Sequence, residues 1–256
     1  MSVKQNHWRG RLFAASVHLG ISLTIAGLAA LLVFGFWYPY PYRDISGGRE
    51  LFILVVAVDV IMGPLLTFAI FNRSKSFAIL RRDLTVIGCL QLIALAYGLW
   101  TVAVARPVYL VFEFDRFRVV HSIEVPAQSL DAAPPEFRRL PWGGPALLSL
   151  RSFKDNKEEM DATMQALQGS SLSAQPALWQ NYEKAIPQVR KAMHPLAALK
   201  AKFPQRVAEI DVALDKAGLG SNAVSYVPMI GRQTFWTVLL DTNTAEVIAF
   251  VPIDSF

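Results

Sequence analysis

The chain has 256 residues, of which 53% are hydrophobic and 18% are charged, and its mean hydropathy is +0.34. This composition is too apolar for an ordinary soluble domain and indicates a membrane protein. The net charge of +5 does not indicate a nucleic-acid partner, because residues 1–106 hold 10 basic and 4 acidic residues, whereas residues 107–256 hold 15 and 16.

Three long apolar windows account for the hydrophobicity, at about 12–37, 51–71 and 84–105. Each is long enough to cross the hydrocarbon core of a bilayer as an α-helix, which takes about 20 residues. The first is too long for the apolar part of a cleaved signal peptide, roughly 7–15 residues, and no A-x-A-like cleavage site follows it. Instead comes FWYPYPY (36–42), whose aromatic rings suit the headgroup level and whose prolines end the helix. We therefore expect three helices surrounded by membrane lipid.

Basic residues flank the apolar windows unevenly. They are concentrated before the first window and between the second and third: Lys4, Arg9, Arg11, Arg73, Lys75, Arg81 and Arg82. In the loop between the first and second windows, Asp44 and Glu50 offset two arginines. Because positively charged flanks stay in the cytoplasm, we expect the N-terminus and the second loop to be cytoplasmic. Everything after Pro107 is then expected outside the cytoplasm.

From Pro107 onward the pattern changes from helical to strand-like. PVYLVFEFD (107–115) alternates apolar residues, with Val108, Leu110, Phe112 and Phe114 expected on one face. A turn is predicted at Asp115-Arg116, followed by a second strand. Three further segments rich in β-branched and aromatic residues predict strands near the end of the chain, at 224–230, 233–240 and 246–251.

The middle of this second part predicts loops and short helices. Residues 126–148 are rich in proline and glycine and predict a loop, with a short helix at Glu136–Leu140. A polar helix is predicted near Lys154–Gln168. Prolines divide the next stretch into two or three short helices, and Gly218 is placed to cap the last.

The predicted fold class follows from these elements. It is a membrane protein with three transmembrane α-helices followed by a small α+β extracytoplasmic domain, whose antiparallel or mixed sheet carries short helices. The predicted division lies between a membrane domain at residues 1–106 and the outer domain at residues 107–256.

Catalytic and metal-binding patterns are not evident in the sequence. The four histidines show no metal-ligand spacing, and no nucleophile elbow, Walker loop or G-x-G-x-x-G fingerprint occurs. GLGSN (218–222) is a weak glycine-rich match that a helix cap and a turn explain. The single cysteine, Cys89, falls in the third window and is interpreted as a small apolar residue. We therefore expect no enzymatic activity, no metal and no cofactor.

The second window contains an unusual polar segment, VDVIMGPLLTF (58–68), in which Gly63 and Pro64 follow Asp59 by one turn. An ionised group at the bilayer centre costs on the order of 2.5–3.5 kcal/mol on insertion scales, so such groups tend to face protein. Proline frees a backbone carbonyl one turn back, here around Val60, and kinks the helix, whereas glycine allows a neighbour to approach closely.

Other polar residues in the windows are expected to meet Asp59 inside the bundle. At a rise of about 1.5 Å per residue, Asp59 and Tyr97 come to one level, and His18 and Gln91 lie at another. The predicted pairs are therefore Asp59 with Tyr97 and His18 with Gln91. Two interpretations stay open: these groups only join the three helices, or one of them pairs with a guest helix in the membrane. A proton or ion pathway would need more ionisable groups in series.

Several segments closely resemble the type IV pilin accessory proteins of the TfpX/TfpZ family. They are VAVDVIMGPLLTFAIF, LTVIGCLQLIALAYGLWTVAVARPVYLVFEFDRFRVV, YVPMIGR and LLDTNTAEVI. The resemblance is densest over residues 12–125. Near the end, the family tends to have a D-x-x-T-G-like turn, and in this chain Ala245 replaces the glycine.

This resemblance implies an inner-membrane protein of Gram-negative bacteria with a C-terminal periplasmic domain. Its implied partner is the cognate major type IV pilin, and its implied role is chaperone-like: pilin assembly, surface display or pilus dynamics. It assigns no catalytic residues. Two alternatives are a membrane-anchored sensor or regulator, and a pilin-modifying enzyme, which would need carboxylates such as Asp44 and Glu50 to converge with others in a cleft.

The predicted orientation can be tested with reporter fusions. A phosphatase that is active only outside the cytoplasm is expected to be active when fused after Phe256 and inactive when fused after Lys75, because the basic flanks hold the second loop inside. A reporter that functions only in the cytosol should give the opposite pattern, and cytosolic activity at Phe256 would contradict the scheme.

Overall fold

A computed structural model describes residues 2–72, 75–218 and 223–256, without the side chains of residues 2–7. The side chains of Lys4 and His7, the whole of Arg73 and the GLGSN segment after Gly218 therefore lie outside the described residues. Contacts between Cα atoms divide the chain into two units. One comprises Met1–Pro39 and Gly48–Val104, and the other comprises Tyr40–Gly47 and Ala105–Phe256.

The first unit consists of long apolar helices. The described helices of residues 1–104 are α1 (Ser2–Leu32, continued by a π-helical turn at Val33–Trp37), the short α2 (Tyr42–Ile45, part of the second unit), α3 (Gly48–Ala57), a π-helical turn (Val58–Met62), α4 (Gly63–Ile70) and α5 (Phe77–Val104). Three stretches among the described residues are long and apolar enough to cross a membrane: Trp8–Trp37, Gly48–Ile70 and Phe77–Val104. The prediction of three apolar helices is confirmed.

The third helix begins earlier than the sequence predicted, at Phe77 instead of residue 84. The apolar window ended at the charged residues Arg81, Arg82 and Asp83. Charge ends an apolar pattern but does not end a helix, since arginine is among the better helix-forming residues. In addition, Lys75 Nζ donates to Asp83 Oδ2 at 2.7 Å, which pairs a charge of this turn with the preceding loop.

The second unit is built on a mixed sheet, as predicted. The strands within the described ranges are β1 (Pro107–Glu113), β2 (Arg116–His121), β3 (Ala146–Leu150), β4 (Trp179–Asn181), β5 (His194–Pro195), β6 (Val224–Ile230), β7 (Phe235–Asp241) and β8 (Val247–Val251). Their order across the sheet is β4-β3-β1-β2-β6-β7-β8, with β5 paired to β6. Strand β1 pairs parallel with β3 and β2 pairs parallel with β6, whereas the hairpins are antiparallel.

Short helices accompany this sheet: α6 (Asn156–Leu167), α7 (Ile186–Ala192), α8 (Leu196–Lys202) and α9 (Val207–Ala217). Asp155 caps α6, because its Oδ1 accepts the Glu158 N–H at 2.7 Å. The Arg151 guanidinium beside Glu158 lowers the pKa of that carboxyl to about 2. Helix α9 ends at Gly218 with φ 69°, the left-handed cap that the sequence predicted.

Three strands were missed, and one predicted turn and one predicted short helix were wrong. Strand β3 begins within the stretch predicted as loop and extends beyond it, and β4 and β5 have only three and two residues, which are too few to show alternation. The first hairpin turns at Phe114 and Asp115, not at Asp115-Arg116; Phe114 has φ 58° and is exposed, so it leaves the face of β1. A 3₁₀ turn at Pro135–Phe137 replaces the helix expected at Glu136–Leu140.

The core of the second unit lies on both faces of β1. Leu110 and Phe112 belong to one apolar cluster, and Tyr109 and Val111 belong to another. A register shift between Pro107 and Tyr109 places Val108 with the second cluster, not with Leu110 as alternation predicted. Because β1 is central and covered on both sides, nearly every residue in it is buried.

The loop after the first membrane helix is part of this core. Tyr42 and Ile45 are buried in the same cluster as Phe112 and Val227, and the Tyr42 ring lies edge-on to Phe250 at 5.7 Å between centroids. Burial raises the pKa of the Tyr42 hydroxyl. The sequence division at residues 106 and 107 assigned this loop to the membrane part, whereas its contacts group it with the sheet.

The turn between β7 and β8 retains a left-handed residue without a glycine. Ala245 has φ 63° and is buried, and its carbonyl accepts the Tyr182 hydroxyl at 2.6 Å. Asp241 Oδ1 accepts the N–H groups of Thr244 and Asn243, both at 2.8 Å, and these bonds lower the pKa of Asp241. Contacts around the turn therefore hold Ala245 in a conformation that costs an L-residue about 1–2 kcal/mol.

Substitutions at Ala245 should separate this strain from side-chain packing. Ala245→Gly is expected to change the free energy of unfolding by less than about 1 kcal/mol, because relief of strain offsets the lost methyl and the greater freedom of the unfolded chain. Ala245→Val is expected to lower it by about 2 kcal/mol or more, since a β-branched residue is poorly tolerated at positive φ. Denaturant unfolding in detergent measures both, and equal stability of the two variants would contradict this account.

Candidate functional site

The second membrane segment departs from α-helical geometry at Asp59. Residues Val58–Met62 form a π-helical turn, in which the carbonyl of residue i accepts from the N–H of residue i+5. For Asp59 that residue is Pro64, which has no N–H. The freed carbonyl is therefore that of Asp59, one residue before the position that the sequence predicted.

A side chain from the third helix bonds this carbonyl. Gln91 Nε2 donates to the Asp59 carbonyl oxygen at 3.1 Å. The amide reaches it by packing on Gly63, where an added Cβ would lie only 2.1 Å from Gln91 Nε2. Pro64, Gly63 and Gln91 thus form one local arrangement: proline frees the acceptor, glycine makes room, and glutamine supplies the donor.

The carboxyl group of Asp59 is buried but is not bonded in the same way. The residue is 8% exposed, and its Oδ1 has no hydrogen-bond partner among the described residues. His18 lies close enough to interact with it electrostatically, but His18 Nδ1 is 2.5 Å from the Thr67 hydroxyl oxygen. A buried acceptor without a donor is uncommon and calls for an explanation.

The two predicted side-chain pairs are wrong. Tyr97 is 68% exposed and its ring lies against Trp100, so it does not meet Asp59. His18 pairs with Thr67, whereas Gln91 bonds the backbone of Asp59. Depth along a helix fixes only the height of a residue. Tyr97 is six residues beyond Gln91, which places it about 120° away around the helix axis.

His18, Asp59 and Gln91 nevertheless line one cavity of about 200 Å³ within the three-helix unit. Its wall is mostly aliphatic, with polar groups confined to these three residues and Ser22. Ser22 was missed, although it follows His18 by four residues and so shares its helix face. Gly88 also lines the cavity, and a Cβ added there would meet nothing within 4 Å among the described residues.

The alternative that the protein is an enzyme depends on where its histidines and carboxylates lie. Within the described ranges, no group of three or more His, Cys, Asp or Glu residues could hold a metal ion. His121 Nδ1 lies 2.7 Å from Glu124 Oε1, and the His194 ring lies against Tyr226. Asp44 lies 3.6 Å from the Arg43 guanidinium.

The fold and the site define a class: a membrane protein with three apolar helices, a mostly aliphatic cavity among them that contains a buried acid, and a mixed-sheet second unit. The family model described as fimbrial assembly protein FimB matches residues 6–47. The fimbrial assembly protein of serogroup I from Dichelobacter nodosus is 38% identical over 253 residues, covering 96% of this chain and 97% of that protein.

Two further relatives come from the same organism. The fimbrial assembly protein of serogroup E1 is 35% identical and covers 96% of this chain and 97% of its own length. That of serogroups C1 and C2 is 41% identical over 125 residues, covering 48% of this chain and 95% of that protein. No solved structure matches. The chain belongs to the FimB family of fimbrial assembly proteins, and its resemblance to TfpX/TfpZ stays a prediction.

The contact between Gly63 and Gln91 can be tested by adding a methyl group. Gly63→Ala is expected to displace the Gln91 amide and leave the Asp59 carbonyl without its donor. Its free energy of unfolding should fall by about 1–2 kcal/mol relative to a control substitution, as expected for a lost hydrogen bond with repacking. The measurement is unfolding in mixed micelles, followed by circular dichroism.

The matched control is Gly27→Ala, because a Cβ at Gly27 meets nothing within 4 Å among the described residues. It reports the gain in helix propensity alone. Equal stability of the two alanine variants would show that the glutamine contact contributes nothing.

Proposed function

We propose that this chain is a bacterial inner-membrane accessory protein of type IV fimbrial assembly that holds the cognate major pilin in the bilayer. By doing so it promotes assembly of the pilin, its display on the surface or the dynamics of the pilus. Full-length relatives named fimbrial assembly proteins support the general role. The observation that carries the docking proposal is the cavity among the membrane helices, which is lined by the buried Asp59.

The cavity has the properties that helix docking in lipid requires. Lipid tails are as apolar as leucine, so helices associate there through close packing and polar contacts instead of the hydrophobic effect. Ala26 and Gly88 in the cavity wall are small enough to let another helix approach, and Asp59 supplies a polar contact. These small residues and the buried acid support a role in binding another membrane helix.

The proposed orientation places the N-terminus in the cytoplasm and the sheet unit in the periplasm. Arg11 Nε donates to the Phe71 carbonyl at 2.9 Å, so the start of the first apolar stretch and the end of the second meet at one end of the bundle. Exposed Arg9, Arg81 and Arg82 are close in sequence to these points. A shared basic end supports an assignment of that end to the cytoplasm.

Site-specific photocrosslinking in intact cells tests where the pilin docks. Photoreactive residues at Ile21 and Leu92, which line the cavity, are expected to crosslink to the pilin. Leu23 and Ile93 are matched controls, because they are similarly exposed on the same helices but are not among the cavity-lining residues. Equal pilin crosslinking at all four positions would contradict a specific site.

Filling the cavity gives the corresponding loss of function. Gly88→Leu adds a side chain where a Cβ has free space and is expected to reduce pilin co-purification and surface piliation at least about tenfold, with normal expression. Gly27→Leu adds the same bulk where there is also free space but away from the cavity, and should retain both. Full piliation with Gly88→Leu would place docking elsewhere.

A further inference from the structure

The backbone carbonyl and the side-chain carboxylate of Asp59 differ in their hydrogen bonding. Its backbone carbonyl is bonded within the bundle by Gln91, whereas its carboxylate Oδ1 is buried without a partner among the described residues. Of the neighbouring polar groups, Gln91 Nε2 donates to that carbonyl and His18 Nδ1 lies 2.5 Å from the Thr67 hydroxyl oxygen. The hydrogen bonds among the described residues therefore leave this carboxylate oxygen without a donor.

A buried carboxyl oxygen in an apolar surrounding is costly until a donor reaches it. The cavity beside Asp59 has about 200 Å³ of space, and Ile21, Ile25 and Leu92 form much of its apolar wall. Such a space matches a single side chain with an apolar stem and a polar tip. A guest that presented a carboxylate would place two acceptors against each other without a proton donor.

We propose that the guest in this cavity inserts a hydrogen-bond donor carried on an apolar stem, either an ammonium, an N–H or an O–H group, and that the carboxylate of Asp59, which lines the cavity, accepts it. This inference rests on the proposed docking of a pilin and adds the chemistry of the contact. The π-helical turn contributes by fixing the backbone of Asp59 against the third helix through Gln91, so that the carboxylate faces the guest from a constrained position.

The test uses the full chain co-expressed with the cognate pilin and a photoreactive residue at position 92. Asp59→Leu keeps side-chain bulk but removes the acceptor, and is expected to lower the yield of pilin crosslinking at least about tenfold. Asp59→Asn keeps the shape and one acceptor oxygen. Asp59→Asn should retain most of the crosslinking if the donor is neutral and lose it if the donor is cationic. Either result supports the inference, provided that Asp59→Leu lowers the crosslinking yield.

The outcomes separate this inference from the proposed function. Pilin crosslinking in the parent chain that is unchanged by Asp59→Leu would overturn the donor contact but keep the docking site. Crosslinking only to lipid in the parent chain would overturn both. Expression level and unfolding midpoint of each variant show whether it is folded.

The guest's donor can be located from the other side of the contact. Donor residues in the pilin membrane helix are replaced one at a time by apolar residues, in the parent chain and in Asp59→Leu. One position is expected to lower crosslinking in the parent but to have no further effect in Asp59→Leu, as contacting residues behave in a double-mutant cycle. Additive losses at every position would overturn the inference.

Discussion

Within a bilayer, each backbone polar group needs a partner from the protein, and this constraint shapes the middle of the second membrane segment. Pro64 cannot donate to the Asp59 carbonyl across the π-helical turn, so another helix has to supply the hydrogen bond. Gln91 does so, and it can approach only because Gly63 has no side chain. The missing N–H of Pro64 thus accounts for both the glycine and the glutamine in otherwise apolar helices.

The same arrangement brings together two interpretations of Asp59 that the sequence left open. Joining of the helices is carried by its backbone, through the bond from Gln91, and by the separate contact of His18 with Thr67. The carboxylate takes no part in either contact, and in the proposed complex it would bond the guest. A residue that served only to join helices would be expected to bond through its side chain, as polar residues in membrane bundles do.

The sequence predicted the elements that depend on composition and on local periodicity. It did not predict the contacts that form between segments distant in the chain. Apolar length alone located the membrane helices, alternation located β1, and richness in β-branched and aromatic residues located β6 and β7. The depth estimates ignored rotation around the helix axis, and Tyr97 is the clearest case, because it lies about 120° around its helix from Gln91. The burial of Ile45 in the same apolar cluster as Val227 depends on segments far apart in the chain, for which a single sequence contains no signal.

The segment matched by the FimB family model, residues 6–47, is the one that enters both units. Its helix contributes His18 and Ser22 to the cavity, and its following loop contributes Tyr42 and Ile45 to the core of the sheet unit. The segment therefore has polar residues in a membrane helix and large apolar residues in a loop, the reverse of what each location usually contains. A loop that only connected two membrane helices would be expected to be polar and variable. This one buries Tyr42 and Ile45 because they complete a core, so the segment matched by the family model is constrained by packing inside each of the two units.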